Sequence, residues 1–261
     1  MNLWKNLDKI TAQLQNSPAK VLMLDFDGTL TPIVKSPDQA ELSKSMRHLL
    51  SRLGKKQGVY LAILSGRELK DIKKKIGLPN IIYGSNHGLE GEFFGEKYSF
   101  PIPQKKLAVL KDIRGQLNKI ANQFEGVFIE DKRLTVSLHY RLANKQQVPE
   151  IKLLINQILK PYIKEGLVFT IAGKKVIDIT PNVNWNKGSF AKLVINRTQA
   201  QTKASPVAIF VGDDKTDEDV FQKLKRGTTI KVGDYEQSKA KYRLTDTNDV
   251  FRFLEWINVK F

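Results

Sequence analysis

Short apolar runs recur along the chain, and most of them lead into a polar turn. Val21–Leu24 leads into Asp25-Phe26-Asp27-Gly28, and Val59–Leu64 into Ser65-Gly66-Arg67. Ile81–Tyr83 leads into Gly84-Ser85-Asn86-His87-Gly88, and Ala208–Val211 into Gly212-Asp213-Asp214; Thr228–Val232 is a further run. Runs this short and this apolar read as buried strands. Between them the apolar positions fall three and four apart, the spacing of a helix face. Leu3, Leu7, Ile10 and Leu14 mark a first short helix. Asp38 to Leu53 reads as a helix with Leu42, Met46, Leu49, Leu50 and Leu53 inward, and Glu68 to Ile76 as one that stops near Gly77 and Pro79. Gly188 to Val194 and Asp249 to Ile257 read as helices too, the last capped by Asn248 or Asp249. Strands alternating with helices predict a parallel, doubly wound α/β sheet.

The pattern changes at Pro101 and Pro103. Lys105 to Phe124 is a long helix, with Leu107, Leu110, Ile113, Leu117 and Ile120 on one face. Val127 to Glu130 and Leu134 to Tyr140 read as paired strands, Val148 to Ile163 as a second helix, and Leu167 to Ile171 and Val176 to Ile179 as a hairpin around Ala172-Gly173. Helix-strand-strand, twice over, is an α+β module. The expected division is therefore an α/β domain over residues 1–103 and 184–261, with an inserted α+β cap over 104–183. Linkers near Pro101–Pro103 and Pro181–Asn186 would let such a module hinge. Between Arg133 and Arg141, Leu134, Val136, Leu138 and Tyr140 alternate with Thr135, Ser137, His139 and Arg141. Lys174 and Asp178, four apart, are expected to share a face. A polar sheet face of this kind is either ordinary solvated surface or a lid for a hydrophilic substrate.

Composition narrows the chemistry. The chain has 261 residues and 41% hydrophobic content, enough for a packed core. It has no cysteine, which excludes disulfides, thiolate metal sites and a cysteine nucleophile, and fits a reducing cytoplasm. Met1 to Gln15 carries Lys5, Asp8 and Lys9 and has no continuous apolar stretch, so no signal peptide is expected. No run approaches the roughly 20 residues of a membrane helix. The net charge of +16 suggests either nucleic-acid binding or a field that attracts a phosphorylated metabolite. The lysines are scattered, with Lys73-Lys74-Lys75 the densest cluster, and no nucleic-acid-binding motif appears, so no nucleic-acid partner is expected.

The acids lie where parallel α/β sheets bind ligands, at the carboxyl ends of strands. Asp25 and Asp27 repel, and a hard divalent cation with oxygen ligands, Mg²⁺ above all, relieves that repulsion. Phosphoryl transfer needs a nucleophile, a proton shuttle and positive charge on the phosphoryl oxygens. Asp25 is the candidate nucleophile and Asp27 the acid that protonates the leaving alcohol and then activates water. Asp213 completes a Mg²⁺ site with Asp25 and the Asp27 carbonyl. Ser65 is placed to bind a phosphoryl oxygen and Lys187 to neutralise it. Asp214 and Asp217 read as residues that orient metal and lysine. Phosphate-loop, dinucleotide, serine-hydrolase and zinc-protease motifs are absent.

The segments Leu24-Asp-Phe-Asp-Gly-Thr-Leu30, Leu64-Ser-Gly-Arg67, Asn86-His-Gly-Leu-Glu90, Glu130-Asp-Lys132, His139-Tyr-Arg141, Lys187-Gly188 and Gly212-Asp-Asp-Lys-Thr-Asp-Glu-Asp219 carry a resemblance. The chain resembles the haloacid-dehalogenase-type phosphatases and, within them, the trehalose-6-phosphate phosphatases. The resemblance implies a Rossmann-like core with an inserted cap, and a disaccharide held by both. On that basis Arg67, Asn86 and His87 contact the substrate from the core, and Glu130, Lys132, Arg141, Lys174 and Asp178 from the cap. The family usually has glutamate where this chain has Asp178, a side chain about 1.5 Å shorter in reach. That departure touches sugar selectivity.

The expectation is a monomeric, cytoplasmic Mg²⁺-dependent phosphatase that takes trehalose 6-phosphate to trehalose and phosphate through an aspartyl-phosphate. The rival readings are a sucrose-phosphate or mannosyl-3-phosphoglycerate phosphatase on the same scaffold, and an inactive regulatory subunit of a trehalose-synthesising complex. Because no glycosyltransferase pattern occurs in the chain, its sugar phosphate is expected from a separate trehalose-phosphate synthase, the candidate protein partner.

Overall fold

A computed structural model of the chain describes residues 1–234 and 237–260. It divides into two units, Met1–Ser99 with Trp185–Phe261, and Phe100–Asn184. The first part of the larger unit runs α1 (Leu7–Gln15), β1 (Lys20–Leu24), α2 (Lys44–Gly54), β2 (Val59–Leu64), α3 (Leu69–Ile76), β3 (Ile82–Ser85), β4 (Glu90–Phe93) and β5 (Glu96–Ser99). The smaller unit holds α4 (Gln104–Ala121), β6 (Phe128–Asp131), β7 (Val136–His139), α5 (Val148–Lys164), β8 (Val168–Gly173) and β9 (Val176–Pro181). The larger unit resumes with α6 (Lys187–Thr202), β10 (Val207–Gly212), α7 (Glu218–Lys223), β11 (Thr228–Val232), β12 (Tyr242–Leu244) and α8 (Thr247–Lys260).

The large sheet has the order β12-β11-β10-β1-β2-β3-β4-β5. It is parallel from β12 to β3 and antiparallel from β3 to β5. Both faces of β1 are covered, which is why its sequence is apolar throughout and does not alternate. Leu22 and Leu24 join one core cluster with Leu50, Ile72 and Phe253 from α2, α3 and α8. Val21 and Met23 join another with Phe190 and Val194 of α6 and Phe221 of α7. Leu24 lies level with Ile63 of β2 and Val211 of β10. Three parallel strands therefore end together, and Asp25, Ser65 and Asp213 emerge along one sheet edge.

Some elements differ from the sequence pattern. The helix expected from Asp38 begins only at Lys44, where the Ser43 hydroxyl accepts from the Met46 amide at 3.2 Å. Pro37–Gln39 is a separate 3₁₀ turn. The β4–β5 hairpin escaped the pattern because its two-residue turn, Phe94-Gly95, lacks the usual Asn-Gly or Asp-Gly signal; both residues have positive φ, 50° and 96°. Two lysines of the run Lys73-Lys74-Lys75 are tied to the fold: Lys73 binds Glu92 at 2.6 Å and Lys75 donates to the Ala40 carbonyl at 3.0 Å.

The smaller unit is a four-stranded antiparallel sheet, β6-β7-β9-β8, with α4 and α5 on one face. Ile113 and Leu117 of α4 and Ile151 and Ile155 of α5 are fully buried with Val136, Leu138 and Ile179. Each such side chain contributes about 1.5–3 kcal/mol. The alternate positions on β7 carry Ser137 and His139, as the alternation predicts. Lys174 is not on a strand with Asp178: it lies in the turn between β8 and β9, where Gly173 pairs with Val176. No helix among the described residues is long and apolar enough to cross a membrane.

Candidate active site

Asp25 leaves β1 with its amide donating to the Val211 carbonyl at 2.9 Å, so its backbone stays in the sheet ladder. Phe26 then closes a tight turn, its carbonyl accepting from the amides of Leu30 (2.9 Å) and Thr31 (3.1 Å). Gly28 sits in that turn at φ +84°, and a Cβ there would overlap the Asp213 carboxylate. Glycine is required on both counts. Gly212 matters for a different reason: a Cβ there would overlap the Asp217 carboxylate.

Lys187 is the first residue of α6, whose N-terminus is capped by the Asn186 side chain accepting from the Ser189 amide at 3.0 Å. Its Nζ lies 2.5 Å from Asp25 Oδ1 and 2.6 Å from Asp217 Oδ1, at 2% exposure. The other Asp217 oxygen accepts from the Asp214 amide at 2.9 Å. Asp214 in turn accepts from the Thr216 hydroxyl at 2.7 Å. The Asp213 carbonyl accepts from Lys231 Nζ.

Asp25, Asp213 and Asp217 each present an oxygen, all within 4.8 Å of one another. Three buried carboxylates (25, 213, 217) against two buried ammonium groups (187, 231) leave a formal charge of −1, with the exposed Asp214 alongside. Burial pushes Asp25 well above the ordinary carboxylate range; Lys187 opposes that, and Asp217, Asp213 and Asp214 add to it. Burial also pushes Asp217 up, to about 7, against the pull of Lys187. Burial would pull Lys187 down, but Asp217 and Asp25 outweigh it and hold it above the usual lysine range. Surplus negative charge in a buried oxygen cluster fits a hard divalent cation. Asp217 has both oxygens engaged, so Asp25 and Asp213 are the better ligands and Asp217 the residue that orients Lys187.

The other predicted core residues sit beside this cluster. Both Asp27 oxygens accept from Arg67, at 2.7 and 2.8 Å, and Arg67 also binds Asp71 at 2.7 Å. Burial would lower Arg67, and its bonds to Asp27 and Asp71 outweigh that and raise it. Ser65 is buried, its amide donating to the Gly84 carbonyl and its hydroxyl accepting from the Arg67 amide at 3.2 Å. Asn86, His87 and Gly88 form a turn with φ of 47°, 56° and 92°. Side-chain-bearing residues held at positive φ cluster at functional sites. The Asn86 amide group donates to Glu90 at 2.8 Å, and His87 packs on Gly66.

In the smaller unit, Glu130, Lys132 and Asp178 form a chain of charges. Lys132 lies 3.8 Å from Glu130 and 3.4 Å from Asp178. Glu130 also binds His139 at 2.8 Å, and Asp178 accepts from Ser137. Arg141 donates to the Lys174 carbonyl at the β8–β9 turn.

Three residues at these sites were not singled out in the sequence, Lys231, Asp71 and Trp185, and Glu90 was named only as the end of a matching segment. Lys231 had a legible signal, a lysine inside an otherwise buried strand. Trp185 had none; its indole N–H donates to the Gly88 carbonyl at 2.7 Å and its ring packs against Tyr98.

Comparison with known proteins bears on the family and the fold. The trehalose-phosphatase family profile matches residues 23–248. A probable trehalose-phosphate phosphatase G of Arabidopsis thaliana is 30% identical over 94% of this chain and 70% of its own length. A trehalose-phosphate phosphatase of Mycobacterium marinum is 36% identical over 82% of this chain; the match spans 54% of that protein's length. Among solved structures, the C-terminal domain of a C. albicans trehalose-6-phosphate phosphatase superposes with a TM-score of 0.84 at 23% identity, covering 97% of each chain. At that identity the likeness speaks for the fold.

Proposed function

The chain belongs to the trehalose-phosphatase family, and from that premise we propose that it hydrolyses trehalose 6-phosphate to trehalose and phosphate, with Asp25 as nucleophile and Mg²⁺ as cofactor. One observation carries the reading: Lys187 bridges Asp25 and Asp217 inside a buried acidic cluster at the ends of β1 and β10. A structural ion pair would not need the surplus carboxylates.

A carboxylate oxygen of Asp25 attacks phosphorus, and the bond to the sugar oxygen breaks as Asp27 gives that oxygen a proton. Asp27, now ionised, takes a proton from water, whose oxygen attacks the aspartyl-phosphate and frees phosphate and Asp25. Lys187 holds Asp25 aligned, and the Ser65 hydroxyl binds a phosphoryl oxygen. Asp25, Asp213 and the Asp27 carbonyl would hold Mg²⁺, which would offset the charge on the phosphoryl oxygens. Glu130, Lys132, Arg141, Lys174 and Asp178, and Asn86 and His87, are the sugar contacts that the family likeness suggests. An inactive regulatory role fits less well, because a cluster of like charges is destabilising unless it is used.

The deciding experiment is Mg²⁺-dependent phosphate release from trehalose 6-phosphate, sucrose 6-phosphate, glucose 6-phosphate and mannosyl-3-phosphoglycerate. Trehalose 6-phosphate is expected to be preferred. Preference for another sugar phosphate would move the error to the cap contacts, Asp178 first, and no turnover at all would favour the regulatory reading.

The metal reading has its own pH signature. Asp25 and Asp217 are raised in the fold, so the metal-free site is most stable when they hold protons. That contribution is fully present below about pH 4, the ordinary carboxylate range. It is lost as pH rises through about 7, the raised value of Asp217. Asp25 would have to be ionised to hold Mg²⁺, and a cation beside it would favour the ionised form of Asp217 as well. The rise in melting temperature that Mg²⁺ gives over EDTA is therefore expected to be larger at about pH 8 than at about pH 5.5. An equal or smaller shift at the higher pH would count against a metal at this cluster.

A further inference from the structure

Arg67 stands where a sugar contact is expected from the motif, and its surroundings argue for another task. Its guanidinium makes four hydrogen bonds: Nε to Asp27 Oδ2 at 2.7 Å, Nη2 to Asp27 Oδ1 at 2.8 Å, Nη2 to the Pro37 carbonyl at 2.9 Å, and Nη1 to Asp71 Oδ2 at 2.7 Å. A guanidinium has five N–H donors, so one at most is left over. The group also lies 5.3 Å from the centre of the Phe26 ring, and the residue is only 6% exposed. Its backbone is pinned as well, the amide to Ser65 Oγ at 3.2 Å and the carbonyl accepting from the Asn86 amide at 2.8 Å.

Asp27 is the opposite kind of residue. It lies on the turn after β1 and its side chain is 37% exposed, so little but Arg67 fixes its carboxylate. Two parallel N–H···O bonds fix the plane of a carboxylate as well as its place. A group that must serve the leaving oxygen and then a water needs that definition, because a displacement of about 1 Å costs on the order of 10²-fold in rate.

We propose that Arg67 is a positioning residue for Asp27, a fork that aims its carboxylate for both proton transfers, and that it makes no sugar contact. This rests on the reading of Asp27 given above. Asp71 and Pro37 act through Arg67, holding the fork from its far side.

The test compares Arg67→Met, Arg67→Lys and Asp27→Asn on trehalose 6-phosphate and on p-nitrophenyl phosphate. p-Nitrophenolate leaves without needing a proton, so its release on forming aspartyl-phosphate does not require Asp27, whereas hydrolysis of the intermediate does. Both Arg67 variants are expected to keep the stopped-flow burst of p-nitrophenolate while steady-state turnover slows by about 10²-fold or more, the range for a lost general acid–base. On trehalose 6-phosphate kcat should fall at least as far, with KM within about threefold. Arg67→Lys keeps the charge and loses the fork, so it should keep the melting temperature without recovering rate. Arg67→Met combined with Asp27→Asn should be no slower than Asp27→Asn alone. A KM for trehalose 6-phosphate raised tenfold, with p-nitrophenyl phosphate turnover unchanged, would make Arg67 a sugar contact and overturn the proposal. Loss of the burst together with a lowered melting temperature in both variants would overturn it in favour of a structural role. Asp27→Asn turning over like wild type would remove the reading of Asp27 itself; a slow Asp27→Asn beside unimpaired Arg67 variants would overturn the positioning role alone.

Discussion

Asp25→Asn is expected to lower phosphate release from trehalose 6-phosphate by at least about 10³-fold while leaving the protein folded. The amide is the same size but cannot form the bond to phosphorus, and removal of a nucleophile typically leaves only the contribution of binding and oriented dipoles. Stability should move little, or rise. Asp25 is raised above the ordinary carboxylate range, by burial first and by its acidic neighbours, so its ionised form is the costly one in the metal-free fold. The substituted amide removes that charge and keeps an oxygen for Lys187. The signature is therefore lost turnover with an unchanged or higher melting temperature in EDTA at about pH 8. Wild-type turnover in this variant would sink the mechanism.

Lys187→Met should damage both activity and stability. Its ammonium sits between Asp25 and Asp217 at 2.5 and 2.6 Å, with almost no solvent contact. Removing one partner of a buried ion pair costs about 3–5 kcal/mol, because the charge left behind is neither solvated nor paired. For a chain of this size that is a fall in melting temperature on the order of 10 °C. Turnover should fall by about 10³-fold, as when a preorganised donor is lost. Lys187→Met combined with Asp217→Asn separates the two effects. Removing a second charge should restore much of the melting temperature and none of the rate. A single variant that melts within about 2 °C of wild type would show that the bridge is not what holds these acids together.

Much of the site was legible because strand ends are local features. Val21–Leu24 and Ala208–Val211 are continuous apolar runs, buried on both faces, so the acids that follow them had to emerge at the sheet edge. The helix-strand-strand order of the smaller unit was legible for the same reason, through helical periodicity in α4 and α5 and strict alternation on β7. Short or weakly patterned elements were not. Tyr242–Leu244 is too brief for a period to show, and Phe94-Gly95 forms its turn without the residues that usually announce one. The start of α2 differs from the pattern because Pro37–Gln39 forms a separate 3₁₀ turn and the Ser43 hydroxyl caps the helix.

The sequence alone determined which chemical groups stand at which strand ends, since those placements follow from covalent adjacency and hydrophobic period. Only the tertiary structure decided what each group does to its neighbours. Lys187 and Asp25 are 162 positions apart, Arg67 and Asp27 are 40 apart, and Lys231 reaches Asp213 from the next strand over. A carboxylate's charge, orientation and proton affinity depend on what lies across from it and on how much water is excluded. Both are properties of packing, and no stretch of contiguous residues contains them.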